Sequence, residues 1–237
     1  MSKTILVIAP VMPQQSEIEL FASTLAFLKP DFNMDFLDPL PIIDINLENK
    51  AYYLAWQHYL AAVLNQYDAF IGFSFGGVIL QQCFPLFENK HIPIILFSTP
   101  TRADDALKQK LGKVIELCEK NQVKEALDKL YKEVHYPHQQ PILCCDWNNI
   151  NPADAGVRLI TGLKRVLNTD SSHVVKTATV NHLHLIGERS NLVNTQNVTP
   201  PQTGRLITVP GAGMRVLQDN LLFCKQVIMD ELCCEHE

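Results

Sequence analysis

The chain has 237 residues, of which 47% are hydrophobic and 19% charged. That length and balance fit one α/β domain with a full hydrophobic core and exclude an intrinsically disordered chain. A net charge of −5, with no run of Lys or Arg, leaves no electrostatic footprint for nucleic acid.

The apolar run at 5–11 is too short to span a bilayer, and no small-residue cleavage site follows it. No other stretch reaches spanning length, so the expected setting is the cytoplasm, without membrane attachment. The cysteine count is seven, an odd number. The adjacent pairs Cys144-Cys145 and Cys233-Cys234 lack zinc-site spacing and are read as free thiols in a reducing compartment. No metal and no cofactor is expected.

Residues 5–9 form an apolar run of strand length. Ser16 is a plausible N-cap for a helix carrying Ile18, Phe21, Ala22, Leu25 and Leu28 on one face and stopped by Pro30. Residues 34–37 read as a short strand, and about 50–64 as a helix with Tyr52, Trp56, Tyr59 and Val63 at helical spacing. Then follow a strand at 69–73, a helix at 78–87 and a buried strand at 92–97. Residues 107–134 form one or two amphipathic helices. Asn151-Pro152-Ala153-Asp154 is a helix start, with an N-cap, proline at the first position and an acid in the first turn. That helix runs to about Leu167. Strands at 183–186 and 206–209 and a closing helix at 216–232 complete the chain.

Apolar strands alternating with helices predict a mostly parallel sheet covered on both faces. The helical block at 101–175 reads as a cap inserted into a core of 1–100 and 176–237. Its alternative is a set of helices that simply cover the sheet.

The informative motif is Gly72-Phe73-Ser74-Phe75-Gly76-Gly77, directly after a strand and before a helix. It matches G-x-S-x-G in the strand–turn–helix setting that a nucleophile elbow requires. Glycines two before and two after Ser74 leave room for the tight turn. The turn raises the Ser74 hydroxyl over the sheet edge and aims the Phe75 N–H at a developing oxyanion.

On these residues the chain resembles the α/β-hydrolase superfamily over nearly its whole length. The stretch 158–170, leading into Leu185-Ile186-Gly187, is similar to the cap exit of small carboxylesterases such as the pimeloyl-carrier-protein methyl ester esterases. The resemblance implies a serine esterase or thioesterase and also exposes two departures. Ser190 stands where such families carry the catalytic acid, with Glu188 two residues earlier. Met214, in Gly211-Ala212-Gly213-Met214, stands where they carry the histidine. A thioether accepts no proton. Ala9-Pro10-Val11 replaces the usual His-Gly, and because Pro10 has no N–H, Val11 becomes the second oxyanion donor.

A serine without a base is a weak nucleophile. The expected replacement pair is His173 with Asp170, where the cap rejoins the sheet; its alternative is a helix cap beside an exposed imidazole. His135 and His138 in the cap could reach over the pocket. His182 and His184 read as packing or surface residues, and His58, His91 and His236 as surface residues. Asp146 and Trp147 read as substrate contacts or packing, and Cys145 carries no sign of a lowered pKa.

Three outcomes follow from this pattern. The first is an esterase or thioesterase acting through Ser74 on a small acyl ester or a carrier-bound acyl group. The second is a degenerate member that binds an acyl or polyketide-like ligand or a partner enzyme. The third is non-hydrolytic chemistry in the same pocket. The expected partners are a small-molecule acyl substrate or an acyl-carrier protein, with a partner enzyme or a homodimer as further options.

Overall fold

The computed structural model describes residues 3–139 and 150–233, except for the side chains of residues 19 and 20. Cys144, Cys145, Asp146, Trp147, Cys234 and His236 lie outside the described residues. Six strands form one sheet: β1 Lys3–Ile8, β2 Phe32–Leu37, β3 Ala69–Phe73, β4 Ile94–Phe97, β5 His182–Gly187 and β6 Arg205–Val209. Their order is β2-β1-β3-β4-β5-β6, and every neighbouring pair is parallel.

Side chains alternate across the strands, so each strand feeds two cores. Leu6, Ile8, Phe70, Ile94 and Leu96 face one side, against α2 Asn49–Val63, α3 Phe75–Gln82, α4 Asp105–Glu119, α5 Val123–His135, α6 Pro152–Leu167 and α7 Ser172–Thr177. Ile5, Val7, Ile71, Ile95, Leu183 and Leu185 face the other side. There they meet Leu25 and Leu28, together with α8 Val216–Asp219 and α9 Leu221–Cys233. Burial on both faces is why the strands read as apolar throughout.

Three helices differ from their expected lengths. The helix predicted from Ser16 to Pro30 is α1 Glu17–Ala22 followed by a 3-10 segment, Ser23–Leu28. Leu25 and Leu28, three apart, align on one side in that tighter winding and are fully buried. The helix predicted to residue 87 ends at Gln82, and Pro85 lies in a separate 3-10 turn, Phe84–Leu86. The closing helix breaks at Asn220, between α8 and α9.

Between β4 and β5 the described residues form the helices α4, α5, α6 and α7. Asp104 caps α4 by accepting the Leu107 N–H, and Asn151 caps α6 by accepting from Ala153 and Asp154. The helices α4, α5 and α6 pack on one another, and α6 packs on α3. A second tie to the core is Arg158 of α6. Its guanidinium holds both Asp38 carboxylate oxygens, at 2.8 and 3.0 Å, and donates through Nε to the Met12 carbonyl.

Candidate active site

Because all strands are parallel, their carboxyl ends meet at one edge. The strand order reverses between β1 and β3, and the loops leaving those two strands part to open a crevice. Ser74 follows β3 at this point, with φ 48° and ψ −108°. A non-glycine residue there is strained by about 1–3 kcal/mol. The turn is held by the Ser74 N–H, which donates to the Phe97 carbonyl at 2.9 Å. Steric fit explains the flanking glycines. A Cβ on Gly72 would lie 2.6 Å from the Gly77 Cα, and one on Gly76 would lie 2.2 Å from the Ile8 carbonyl oxygen. Phe75 opens α3, so its N–H has no partner within the helix.

Ser74 opens into a cavity of about 670 Å³. Its roof is apolar: Leu107 and Leu111 from α4, Leu130, Tyr131 and Val134 from α5, and Leu163 and Val166 from α6. The helices α4, α5 and α6 therefore cover the candidate site as well as one face of the sheet. Toward α1 the wall is more polar, with Gln14, Ser16, Glu17 and Thr24. Burial raises the Glu17 pKa, and the Arg158 charge opposes that shift. Val11 also lines the cavity, wedged against α6 so closely that a Cβ on Gly162 would lie 2.3 Å from its Cγ2. Met214 lines the wall too, and its carbonyl accepts the Ser98 hydroxyl at 2.7 Å. Ser74, Phe75, Val11 and Met214 are thus gathered at one edge.

The other expected partners are not brought there. Ser190 is buried, and its hydroxyl accepts the N–H groups of Leu192 and Val193, which makes it a turn cap. Glu188 accepts the Gly211 N–H at 2.8 Å and does not line the cavity. Asp170 accepts the Ser172 N–H at the start of α7, and His173 is exposed. Neighbouring Ser171 accepts from Gln82, at the far end of α3 from Ser74, and neither Asp170 nor His173 lines the cavity. Burial works against ionisation of Asp170, but the Ser172 hydrogen bonds and the Arg102 and Lys176 charges outweigh it and lower its pKa. This pair is the helix-cap alternative, because α7 starts beside the wrong end of α3.

His182 and His184 are buried in β5. His184 accepts the Thr99 N–H through Nε2, and burial, together with His182, pushes its pKa down to about 3. His58 and His91 are exposed. Burial raises the Cys83, Cys118 and Cys224 thiols, so none of the three is activated.

One of the two histidines expected over the pocket is brought to it by α5. His135, at the end of α5, is only 7% exposed and lines the cavity together with Ser74. A series of contacts leads from it to the elbow. The next residue, Tyr136, has its carbonyl so near Gly213 that a Cβ there would lie 1.9 Å from the oxygen. Met214 follows and is bonded to Ser98, which adjoins Phe97, the acceptor of the Ser74 N–H. Burial first and the Arg215 charge second push the His135 pKa down to about 4, with Asp219 opposing. Asp219 itself accepts the Gly213 N–H at 2.8 Å and lies 3.6 Å from Arg215 and 3.7 Å from His138. One sequence signal pointed to His135: it extends the apolar stripe Leu127, Leu130, Tyr131, Val134 at helical spacing. No comparable signal marked Arg215 or Asp219.

Among the described residues, no group of three His, Cys, Asp or Glu side chains could hold a metal ion, and no helix is long and apolar enough to cross a membrane. No protein-family model and no curated protein sequence matches the chain. Solved structures do. MGS-M2, an α/β-hydrolase enzyme from a Medee basin deep-sea metagenome library, superposes with a TM-score of 0.74 at 13% identity over 100% of this chain and 91% of its own. A hydrolase from Oleispira antarctica gives 0.69 at 14% identity, over 98% and 91%. An esterase from Exiguobacterium antarcticum gives 0.69 at 12%, over 98% and 92%. With the all-parallel sheet and the elbow after its central strand, these similarities show that the chain has the α/β-hydrolase fold.

Proposed function

We propose that the protein is a serine acyl hydrolase, an esterase or thioesterase, acting through Ser74 on an aliphatic acyl group held under the cap. The observation that carries this reading is the strained Ser74 turn opening onto a large apolar cavity. Ser74 Oγ attacks the acyl carbonyl, and its proton passes to the His135 imidazole. The oxyanion is held by the Phe75 and Val11 N–H groups. Collapse expels the alkoxide or thiolate, which takes up the proton from His135, and water then repeats the sequence on the acyl-enzyme. An imidazole whose pKa is pushed to about 4 is neutral at pH 7, the form that accepts a proton. It is also a weaker base than an ordinary histidine, so acylation is slow for this fold.

The test is intact-mass detection of a fluorophosphonate adduct. A stoichiometric adduct on the wild type, absent in Ser74→Ala and formed at least about tenfold more slowly in His135→Gln, supports the reading. No adduct after hours removes it.

A second reading is favoured by Met214, an apolar side chain on the cavity wall where the resemblance calls for a base. It makes the protein a non-catalytic acyl binder. Ligand binding that survives Ser74→Ala, with no covalent adduct on the wild type, would select it.

A further inference from the structure

Arg215 lines the cavity beside Met214, and its side chain is 27% exposed. Its Nε is buried and has no hydrogen-bond partner among the described residues. Its one ion pair there is with Asp219, at 3.6 Å, longer than an N–H···O hydrogen bond. That carboxylate is also engaged by the Gly213 N–H and faces His138. The Nε is shut off from the cavity as well as from solvent, but the two terminal nitrogens make no hydrogen bond among the described residues and leave donors that a ligand can meet. The planar guanidinium fork suits a carboxylate. The roof, with Leu107, Leu111, Leu130 and Val134, and the neighbouring Leu192 suit an alkyl chain.

We infer that Arg215 is an anion anchor, and that the cavity takes a medium-chain aliphatic carboxylate with its head on Arg215 and its chain under the cap. A single guanidinium already partly offset by Asp219 balances at most one negative charge, which disfavours a phosphate dianion. The carboxylate has two sources: a free fatty acid, or the distal carboxylate of a dicarboxylic half-ester. The inference uses the same cavity as the hydrolase reading but does not depend on turnover.

The test is calorimetric titration of the full chain carrying Ser74→Ala, which prevents hydrolysis of any ester added. The probes are octanoate, monomethyl suberate and, as the uncharged control, octanol. At least one of the two anions is expected to bind about tenfold or more tightly than octanol. Octanoate alone identifies the free acid, and the half-ester alone identifies the distal carboxylate. Arg215→Gln abolishes the preference for the anion, whereas Arg215→Lys, which keeps the charge and guards against a folding artefact, retains part of it.

Octanol binding as tightly as both anions, binding of none of the probes, or an anion preference that persists in Arg215→Gln would each overturn the inference. Failure of the hydrolase reading shows separately, as absence of the fluorophosphonate adduct on the wild type. Anion binding can then still stand.

Discussion

Ser74 occupies a backbone conformation that glycine would adopt at less cost. Ser74→Gly is therefore expected to stabilise the fold by roughly 1 kcal/mol, net of the chain entropy glycine adds, raising Tm by about 2–4 °C. The same change removes the fluorophosphonate adduct. A thermal melt that drops instead would show that the turn is not strained. The histidines give a second residue-scale outcome. His184 and His135 have folded pKa values near 3 and 4, below the ordinary 6.5. Between those limits the unfolded chain binds more protons than the folded one, so stability rises with pH through this window and flattens above it. The urea midpoint should fall as pH drops from about 6.5 to 4, with a shallower slope in His184→Gln. An unchanged slope in that variant would refute the role given to His184.

At the scale of elements, the strands and the elbow were legible because their signals are local. A continuous apolar run marks a strand buried on both faces, and G-x-S-x-G marks a turn that tolerates no Cβ at its ends. Helix lengths were less legible, since the 3-10 winding of Leu25 and Leu28 answers to packing and not to the 3.6 period. One contact between elements was hidden altogether. Gly162, in the middle of α6, is small because Val11 presses into it. Gly162→Ala should push Val11 and slow Ser74 labelling about tenfold or more, because small misplacements of an oxyanion donor are expensive. Adding Val11→Ala should restore much of the rate. Labelling that is indifferent to both changes would remove Val11 from the oxyanion site.

At the scale of the molecule, α6 is joined to the loop after β2 by the Arg158–Asp38 pair, whose side chains are 17% and 4% exposed. Removing Arg158 alone leaves a buried carboxylate and should cost about 3 kcal/mol, read from the denaturation midpoint. The double change Arg158→Met with Asp38→Leu should cost clearly less than the two single changes added together. Strict additivity would mean the two side chains do not interact. Distance along the chain also explains what the sequence withheld about the site. His135 was legible as a residue over the pocket, but Arg215 lies eighty positions further on, and only the folded chain sets one against the other. His173 and Asp170 were attractive because they lie where the cap returns to the sheet, but α7 starts beside Gln82, away from the elbow.

The Asp219 corner has a mechanical consequence. There the end of α5 abuts Gly213 through the Tyr136 carbonyl, and one carboxylate faces Gly213, Arg215 and His138 together. The roof cannot lift at this corner without carrying the Met214 wall along with it. The opposite rim is fastened as well, because Arg158 of α6 donates to the Met12 carbonyl and Val11 is wedged against Gly162, so the roof is held down on two sides of the cavity.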